Sequence, residues 1–425
     1  MQKFIEGKLI VYLVASIIPL LSVSIFLADF ICSFLAIFFL CFVIKNNIYA
    51  IFKNIFITFS IFFYLLIVFS SILSSDILFS LQSSLPFIRI IIFCLLISHL
   101  ISNNKNFLKI LYEFIKFTFL VLVLYGFIEY FYMHYNLSKK DLIDMVNIRL
   151  NLFITDEQKL GSYLVRLFGI FLALHIISNN HTRNQNLLFY ILIVLTSIII
   201  LLSGERTSLF FLILFFLALF ILINIKFKTK ALFLILIISI FSVFLYFNKN
   251  LANRIIFDQN NQLKISKHQI IVFTPQHTAH YKTAFKMFLD KPIYGHGPKM
   301  FRIKCSDKKY NESVYIYIEF IKHEYTGCSN HPHNTYMQLI AETGIIGTLL
   351  FSFGLIFIIF VFFKHFFQLF IKKKYLSNYQ IIICLSTLII FWPFSPSGNL
   401  FNNWLLIVSS FPLGFFINNF FINKK

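Results

Sequence analysis

The segment His331-Pro-His-Asn-Thr-Tyr-Met-Gln-Leu-Ile-Ala-Glu-Thr-Gly-Ile-Ile-Gly347 places polar side chains that could do chemistry at the start of an apolar run. On a helix that begins near His333, the side chains of Asn334, Gln338 and Glu342 share one face because they are four residues apart. Polar groups stacked at the mouth of a transmembrane helix indicate a site. A polar helix start capped by Asn334, with the histidines merely at the interface, explains the same pattern, so both interpretations stay open.

Three arginines lie close to or inside apolar runs, where a charge is expensive. Arg206 belongs to the short turn Ser203-Gly-Glu-Arg-Thr-Ser208, and its guanidinium could meet a lipid phosphate with paired donors. Neighbouring Glu205 could instead pair with it, or the arginine could simply anchor the helix at the membrane surface. Arg89 and Arg166 lie at the outer end or within the body of predicted spans, and charges at that depth usually face a cavity or a partner.

A second polar segment begins at His277 and has helical spacing up to Lys291-Pro292, which stops the helix. We expect this helix to lie along the outer membrane surface. Its predicted apolar stripe consists of Tyr281, Ala284, Phe285 and Phe288. The following Gly295-His-Gly-Pro298 turn could cradle a phosphate through backbone amides, although a simple tight turn explains it equally well.

These residues must be positioned by membrane-spanning helices, because the composition fits no other class. The chain of 425 residues is 59% hydrophobic and 13% charged, and a water-soluble surface needs far more charge. Apolar runs of about 17–25 residues recur along the chain without the alternation of barrel strands. The predicted fold is an all-α polytopic membrane protein with about 12 transmembrane helices. The predicted spans are 9–25, 27–44, 54–73, 86–102, 109–133, 161–178, 187–203, 208–224, 231–247, 341–363, 379–393 and 400–421, with Asp29 marking the break between the first two.

The positive charges set the topology. The formal net charge is +20, and its lysines and arginines lie mostly in short loops, which indicates membrane orientation rather than a nucleic acid partner. With both termini in the cytoplasm, the lysine-bearing short loops are all inside. We expect residues 1–247 to carry the first nine spans, 248–340 to form one long, largely helical loop outside, and 341–425 to carry the last three. The residues with possible chemistry then share the outer face.

Two of the six cysteines stand apart from the others. Cys305 and Cys328 lie in the long polar segment, whereas the remaining four fall inside apolar runs as ordinary core residues. If the long loop lies in an oxidising space, a disulfide between these two is predicted, and it would stabilise the fold by roughly 3 kcal/mol.

Together these motifs resemble the O-antigen ligase and O-antigen polymerase superfamily of bacterial membrane glycosyltransferases. The specific part is His333-Asn334, nine residues, then Gly344-Ile-Ile-Gly347, and weaker similarities lie at Ser203 to Arg206, Asp156 to Arg166, Pro292 to Gly297 and Pro396 to Gly398. The resemblance implies an inner-membrane enzyme with its active site facing the periplasm. It implies metal-independent, cofactor-free, inverting transfer of a glycan from undecaprenyl diphosphate.

The resemblance also implies roles for individual residues. His333 takes the position of the base that activates the acceptor hydroxyl, and Arg206 that of a diphosphate ligand, since a leaving diphosphate needs fixed positive charge. One position departs from the family pattern, because His277 and Tyr281 stand where ligases often have arginine and tryptophan. Lys282 and Arg302 are the candidate replacements for that arginine.

Several functions fit this pattern. Ligation to a lipid A-core acceptor is favoured slightly over polymerisation of a growing lipid-linked glycan. A transporter or flippase of lipid-linked sugar is the alternative from another class, although matching interrupted helices are not evident and acidic residues within spans are almost absent. A scaffolding membrane protein is disfavoured by the clustering of polar groups on one face. Membrane lipids are expected partners in every case.

Overall fold

The computed structural model describes residues 7–137, 149–152, 158–178, 182–223, 273–318, 321–371 and 376–422, with scattered residues between 228 and 246. The helices and strands, numbered in chain order, are α1 Lys8–Val23, α2 Ile25–Lys45, α3 Ile55–Ile72, α4 Ile77–Ser84, α5 Ile88–Asn103, α6 Phe107–Leu137, α7 Leu160–Ile177, α8 Arg183–Leu202, α9 Arg206–Leu222, α10 Pro275–Asp290, α11 Phe301–Lys304, β1 Ser313–Ile318, β2 Ile321–Thr326, α12 Thr335–Phe370, α13 Asn378–Phe391 and α14 Asn403–Ile417. Two 3₁₀ turns and a π-helical turn complete the set: Tyr49–Phe52, Leu85–Phe87 and Asn418–Ile422.

Within the described residues, seven helical stretches are long and apolar enough to cross a membrane: Ile25–Lys45, Ile55–Ile72, Ile77–Asn103, Leu160–Ile177, Arg183–Leu202, Thr335–Leu369 and Asn403–Ile422. Three shorter apolar helices, α1, α9 and α13, accompany them. The prediction of a helical membrane protein is therefore confirmed, while the count of twelve spans stays a prediction. The predicted span 231–247 lies mostly outside the described residues.

A single residue separates the first two helices. Ser24, not Asp29, separates α1 from α2, and its hydroxyl accepts a hydrogen bond from the Leu27 amide at 3.3 Å. Serine is a good N-cap because it satisfies an otherwise orphaned amide. Asp29 lies one turn inside α2, so the expectation that it marks the break was wrong.

The helices pack into one bundle with its core between the central spans. α14 packs against α5, α7 packs against α13, and α2 packs against both α1 and α5. The fully buried side chains are mostly phenylalanine, leucine and isoleucine, and Phe93 and Phe411 meet edge to face across the α5 and α14 contact, with ring centroids 5.9 Å apart. Such interdigitation of bulky apolar side chains fixes the helix ends that carry the polar residues.

The long loop contains a β-hairpin as well as helices, so the expectation of a largely helical loop was incomplete. β1 pairs antiparallel with β2, with Ser313 opposite Thr326 and Ile318 opposite Ile321. Val, Tyr and Ile alternate along β1, and these β-branched and aromatic residues favour strands. The hairpin packs against α10 through Val314 and Ala279, both buried.

The helix predicted from His277 to Lys291 is present as α10, but its buried face differs from the predicted stripe. Tyr281 and Ala284 are buried, whereas Phe285 is 49% exposed. The buried face is completed by small and polar residues such as Thr283, because α10 packs against α12 and the hairpin rather than only against lipid. Tyr281 and Phe285 therefore point to different surroundings.

α12 is broken near its beginning, and the turn after α10 fills the break. Gly344 has φ 67° and ψ −166°, outside the helical region. The Ile345 amide consequently donates to the Pro292 carbonyl at 2.8 Å, and the Ala341 and Glu342 carbonyls accept from His296 and Gly297 at 3.0 and 2.8 Å. The break thus frees backbone groups that the turn satisfies, as buried backbone groups require. This interlock, residues 292–297 against 341–345, ties the long loop to the bundle.

Replacing Gly344 with alanine is expected to destabilise the protein by several kcal/mol, because positive φ disfavours a Cβ and the interlock leaves no room for one. An added Cβ would lie 2.3 Å from the Ile293 carbonyl oxygen. The measurement is the thermal unfolding midpoint in detergent. Gly398→Ala is the matched control, since its Cβ would meet only the Leu405 side chain, at 3.8 Å. Equal midpoints for the two variants would contradict the interlock.

Candidate functional site

Four histidines meet where α10 passes over the segment that leads into α12. The His333 ring is the centre of the group: its centroid lies 4.2 Å from that of His331, 5.2 Å from His280 and 5.8 Å from His277. His277 and His280 are three residues apart on one face of α10. We call these four residues the histidine cluster.

The backbone at His333 is held in an unusual conformation by the segment before α14. His333 has φ 57°, in the left-handed region that non-glycine residues rarely adopt. The Ser397 amide donates to the His333 carbonyl at 2.9 Å. Left-handed non-glycine residues persist only where the surroundings hold them, and they are common at functional sites.

Asn334 fixes the next position. Its Oδ1 accepts from the Tyr336 and Met337 amides at 2.9 and 3.0 Å, which caps α12, while its Nδ2 donates to the Pro393 carbonyl at 2.7 Å. The sequence interpretation of Asn334 as a cap is therefore the one that the contacts support. Because both ends of the amide are engaged, Asn334 positions His333 rather than facing a substrate.

Three members of the cluster have hydrogen-bonded rings. His331 Nε2 lies 3.1 Å from the Ser397 carbonyl oxygen, His280 Nδ1 lies 3.0 Å from the Gly327 carbonyl oxygen, and His277 Nδ1 lies 2.9 Å from Thr274 Oγ1. A carbonyl only accepts, so Nε2 of His331 and Nδ1 of His280 carry the protons. Within the described part of the chain, the His333 ring makes no such bond.

The cluster is neutral at ordinary pH. Burial lowers the pKa of His333 to about 3 and that of His277 to about 4, and the neighbouring histidines and Arg149 lower both further in the same direction. Burial likewise lowers the pKa of His280 and His331. A neutral imidazole can accept a proton, so the central ring has the protonation state of a base.

Arg206 lies beside the cluster, at the first position of α9. It follows the tight turn in which Gly204 has φ 67°, and its charge is close enough to lower the pKa of His277. Arg149, which precedes Leu150, is also close enough to lower the pKa of both His277 and His333. Sequence reasoning found Arg206 but missed Arg149, which stands in a loop without a distinguishing pattern.

Glu205 is engaged with the bundle rather than with its neighbour Arg206. Its two carboxylate oxygens each accept from the Ser162 amide at 3.1 Å, and Oε2 accepts from Ser208 Oγ at 3.0 Å. Ser162 lies in the first turn of α7, where free amides and the helix dipole attract a carboxylate. Glu205 therefore caps α7 and joins it to α9.

Arg166 lies one turn below that cap. Its Nη1 donates to the Ser162 carbonyl at 2.9 Å and also bonds the Ser162 hydroxyl, and the guanidinium lies 5.7 Å from the centroid of the Trp404 ring. The side chain is almost fully buried and lines an apolar groove. It is the charged residue at the polar end of that groove.

The groove runs between the spanning helices from the site into the bundle. Its open volume, including the part continuous with solvent, is about 1160 Å³. The polar end carries Arg166, Thr335, Ser395 and Ser397, and the walls are Phe, Ile and Leu residues of α3, α5, α12, α13 and α14. Because Ser397 also bonds His331, the groove begins next to the histidine cluster.

Three further residues predicted from the sequence have different surroundings: Arg89, Lys282 and Arg302. Arg89 forms an ion pair with Asp29 at 2.7 Å, and Asp29 also accepts from Asn403 Nδ2 at 2.9 Å. Lys282 is exposed on the surface of α10. Arg302 is close enough to His331 to lower its pKa.

Glu342 holds the turn that presents Arg302. Fully buried, it accepts from the Phe301 amide at 3.1 Å and from Gln338 Nε2 at 2.9 Å. Lys299 lies in the same turn with φ 61°, and burial and the Arg302 charge lower its pKa. Sequence reasoning missed Lys299, although its place after a glycine turn was a usable signal. Glu342 is thus a positioning residue for two cations.

Cys305 and Cys328 are joined by a disulfide in the structure, with their Cα atoms 4.9 Å apart. The bond links the end of α11 to the segment between the hairpin and His331. It therefore closes the loop that places both Arg302 and the histidines.

Among the described residues, no group of three histidine, cysteine or acidic side chains is arranged to hold a metal ion. The Asp156-Glu157 pair lies outside the described residues.

Comparison with known proteins supports the predicted family. A family model described as O-antigen ligase matches residues 191–352, which include Arg206, the histidine cluster, both bonded cysteines and Gly344. No curated protein matches the chain. Residues 191–352, which build the site, are similar to the O-antigen ligase family, and this match supports the resemblance to the O-antigen ligase superfamily.

Proposed function

We propose that the protein transfers a glycan from a polyprenyl diphosphate carrier, undecaprenyl diphosphate in bacteria, to an acceptor hydroxyl. The observation that carries this proposal is the position of His333: a neutral ring without a hydrogen bond among the described residues, in a cluster that Arg206 approaches at His277 and that adjoins the apolar groove at Ser397. In this proposal His333 meets the acceptor hydroxyl, Arg206 meets the diphosphate, and the groove holds the lipid chain. The transfer is inverting and needs no metal or cofactor.

The groove suits the carrier's hydrocarbon chain. Its walls are apolar, and Arg166 and Ser397 stand at its end, so that a chain lying in the groove would bring its diphosphate to the outer ends of the helices. Burying an isoprenoid there removes no polar group from water, and the cations meet the only charged part of the lipid.

The cations and His333 divide the chemistry. His333 takes the proton of the acceptor hydroxyl as its oxygen bonds the anomeric carbon. The bond from that carbon to the diphosphate oxygen breaks, and the oxygen gains negative charge, which Arg206 and Arg149 stabilise. Fixed positive charge aimed at a developing anion is the largest single contribution in many enzymes.

The acceptor is the less defined substrate. Ligation to a lipid A-core acceptor is our first choice, and extension of a lipid-linked glycan is the alternative, since both reactions need the same base and the same diphosphate site. Arg302 is close enough to His331 to lower its pKa, and Lys299 lies in the same turn and close to Arg302. Both cations suit an anionic acceptor such as a phosphorylated core. We place the site at the periplasmic face of the inner membrane, with both termini in the cytoplasm.

Reconstitution in vesicles with a polyprenyl diphosphate glycan, with and without lipid A-core, tests the proposal by product size. Glycan on lipid A-core supports the ligase, and longer lipid-linked chains without lipid A-core support the polymerase. Movement of the intact donor across the bilayer without any new glycosidic bond would overturn the proposal in favour of a flippase.

The pH dependence of transfer should report the state of His333. In the free enzyme its lowered pKa keeps the ring neutral well below pH 6.5, so kcat/KM should stay level as the pH falls from 7.5 to about 6. Bound diphosphate raises the pKa of the ring, because it offers an opposite charge, and the acid limb of kcat should therefore lie at higher pH than that of kcat/KM. Acid limbs that coincide near pH 6.5 would contradict both the burial and the charge contact.

A further inference from the structure

One exposed stripe of α10 combines lysines with apolar residues. Lys282, Phe285, Lys286 and Leu289 share a face of the helix because of their spacing, and all four are exposed. Lys286 forms an ion pair with Glu312, and the stripe ends on Leu289, which is 62% exposed. The turn that follows continues the apolar part, since Ile293 is 51% exposed.

This apolar surface continues into the lipid-facing side of the bundle. Lys291 Nζ donates to the Leu73 carbonyl at the outer end of α3 at 3.1 Å. The Tyr294 ring meets Phe69 of α3 edge to face, with centroids 5.0 Å apart. Phe69 and Leu73 are themselves exposed on a helix long and apolar enough to span a membrane. The C-terminal end of α10 is therefore fixed at the level where α3 leaves the hydrocarbon.

A second exposed group lies beside it. Leu78 of α4 is 76% exposed and Ile77 is 45% exposed, directly after the end of α3. Single exposed apolar residues are ordinary, but a contiguous set of this kind marks a surface that meets lipid or protein. Because this surface continues into α3, which is long and apolar enough to span a membrane, we infer that it meets lipid.

We propose that the C-terminal half of α10 and the turn after it lie in the headgroup region of the leaflet around the end of α3, with Phe285, Leu289 and Ile293 among the acyl chains. Amphipathic helices of this kind bury their apolar face about 5–10 Å into the boundary between headgroups and acyl chains. Lys282 then reaches the phosphates, as a basic residue beside such a face does, while Lys286 stays paired with Glu312. The opposite end of the helix, which carries His277 and His280, stays over the site. The membrane thus sets the height of half of the histidine cluster.

This inference does not depend on the proposed reaction, because its test measures only the depth of the side chains. Leu289→Trp and Phe285→Trp are reconstituted in phosphatidylcholine vesicles with brominated or ordinary acyl chains, and the emission of the parent protein, which has Trp392 and Trp404, is subtracted. Each added tryptophan should lose at least about half of its emission in brominated lipid and little to aqueous iodide. Phe285→Trp exchanges one aromatic ring for another, so this variant can still report the depth of the stripe if Leu289→Trp fails to fold.

Tyr315→Trp on the hairpin is the matched control, since Tyr315 is 48% exposed and Phe285 is 49% exposed. Its emission should fall with iodide and not with bromine. Iodide quenching of both α10 variants without bromine quenching would place the stripe in water and overturn the proposal. Protection from both quenchers would overturn it as well, because a protein surface would then cover the stripe. Equal bromine quenching at position 315 would show that the effect does not belong to this stripe.

Discussion

Replacing His333 with alanine is expected to lower glycan transfer by about 10²- to 10⁴-fold, the usual contribution of a general base. The groove and the cations are untouched by this change, so the donor should still bind with unchanged affinity. The measurement is single-turnover transfer in vesicles with saturating donor and acceptor, alongside donor binding to the same preparation.

The matched control is His323→Ala. His323 is exposed on β2, outside the histidine cluster, so its loss removes an imidazole from the same loop without touching the site. Near-normal transfer by His333→Ala at normal protein levels would exclude His333 as the base. Loss of donor binding together with transfer would instead assign His333 to binding.

Exchanging Arg206 for lysine is expected to reduce kcat by roughly 10²-fold, comparable to the removal of one donor from a site that stabilises developing charge. Lysine keeps the positive charge but offers a single point donor instead of the planar fork that matches phosphate oxygens. Because the contact strengthens as the diphosphate leaves, kcat should fall more than the affinity for donor. The measurement is the separation of kcat from KM in the vesicle assay.

Arg183→Lys provides the control for this exchange. Arg183 is the first residue of α8 as Arg206 is the first residue of α9, so both substitutions alter the same helical position before an apolar span. Arg183 does not border the histidine cluster, and its variant should turn over normally. Equal effects of the two exchanges would mean that Arg206 acts only as a membrane anchor.

The structure gives different weight to the residues that the motifs singled out. Asn334, Glu205 and Glu342 belong to these motifs, and each is engaged in hydrogen bonds that shape the site: Asn334 caps α12, Glu205 caps α7, and Glu342 holds the turn with Arg302. A polar residue next to a catalytic one is often present for this reason, since buried helix ends and turns need partners. Spacing alone does not separate the two roles.

The sequence by itself determined the class of the protein, the positions of most helices, the resemblance to the O-antigen ligase family, and His333 and Arg206 as the residues to examine. These follow from local properties: the length of an apolar run, the period of a helix, and a motif with fixed spacing. The single shared face of Asn334, Gln338 and Glu342 was predictable for the same reason, because a helix fixes it without help from the rest of the chain.

Only the tertiary structure decided which distant residues meet. His280 contacts His333 although the two residues are about fifty positions apart in the sequence. The Ser397 amide, which follows α13, donates a hydrogen bond to the His333 carbonyl. Arg149 lies close enough to lower the pKa of His333, and its loop has no distinguishing sequence pattern. The helix break at Gly344 likewise depends on residues 292–297, which form hydrogen bonds with the backbone groups that the break frees. Such contacts depend on how the helices pack and not on the sequence nearby, since a hydrogen bond or a charge acts over a few ångströms of space whatever the separation along the chain. Local sequence patterns therefore identify most residues of the site, and the tertiary structure decides how they are brought together.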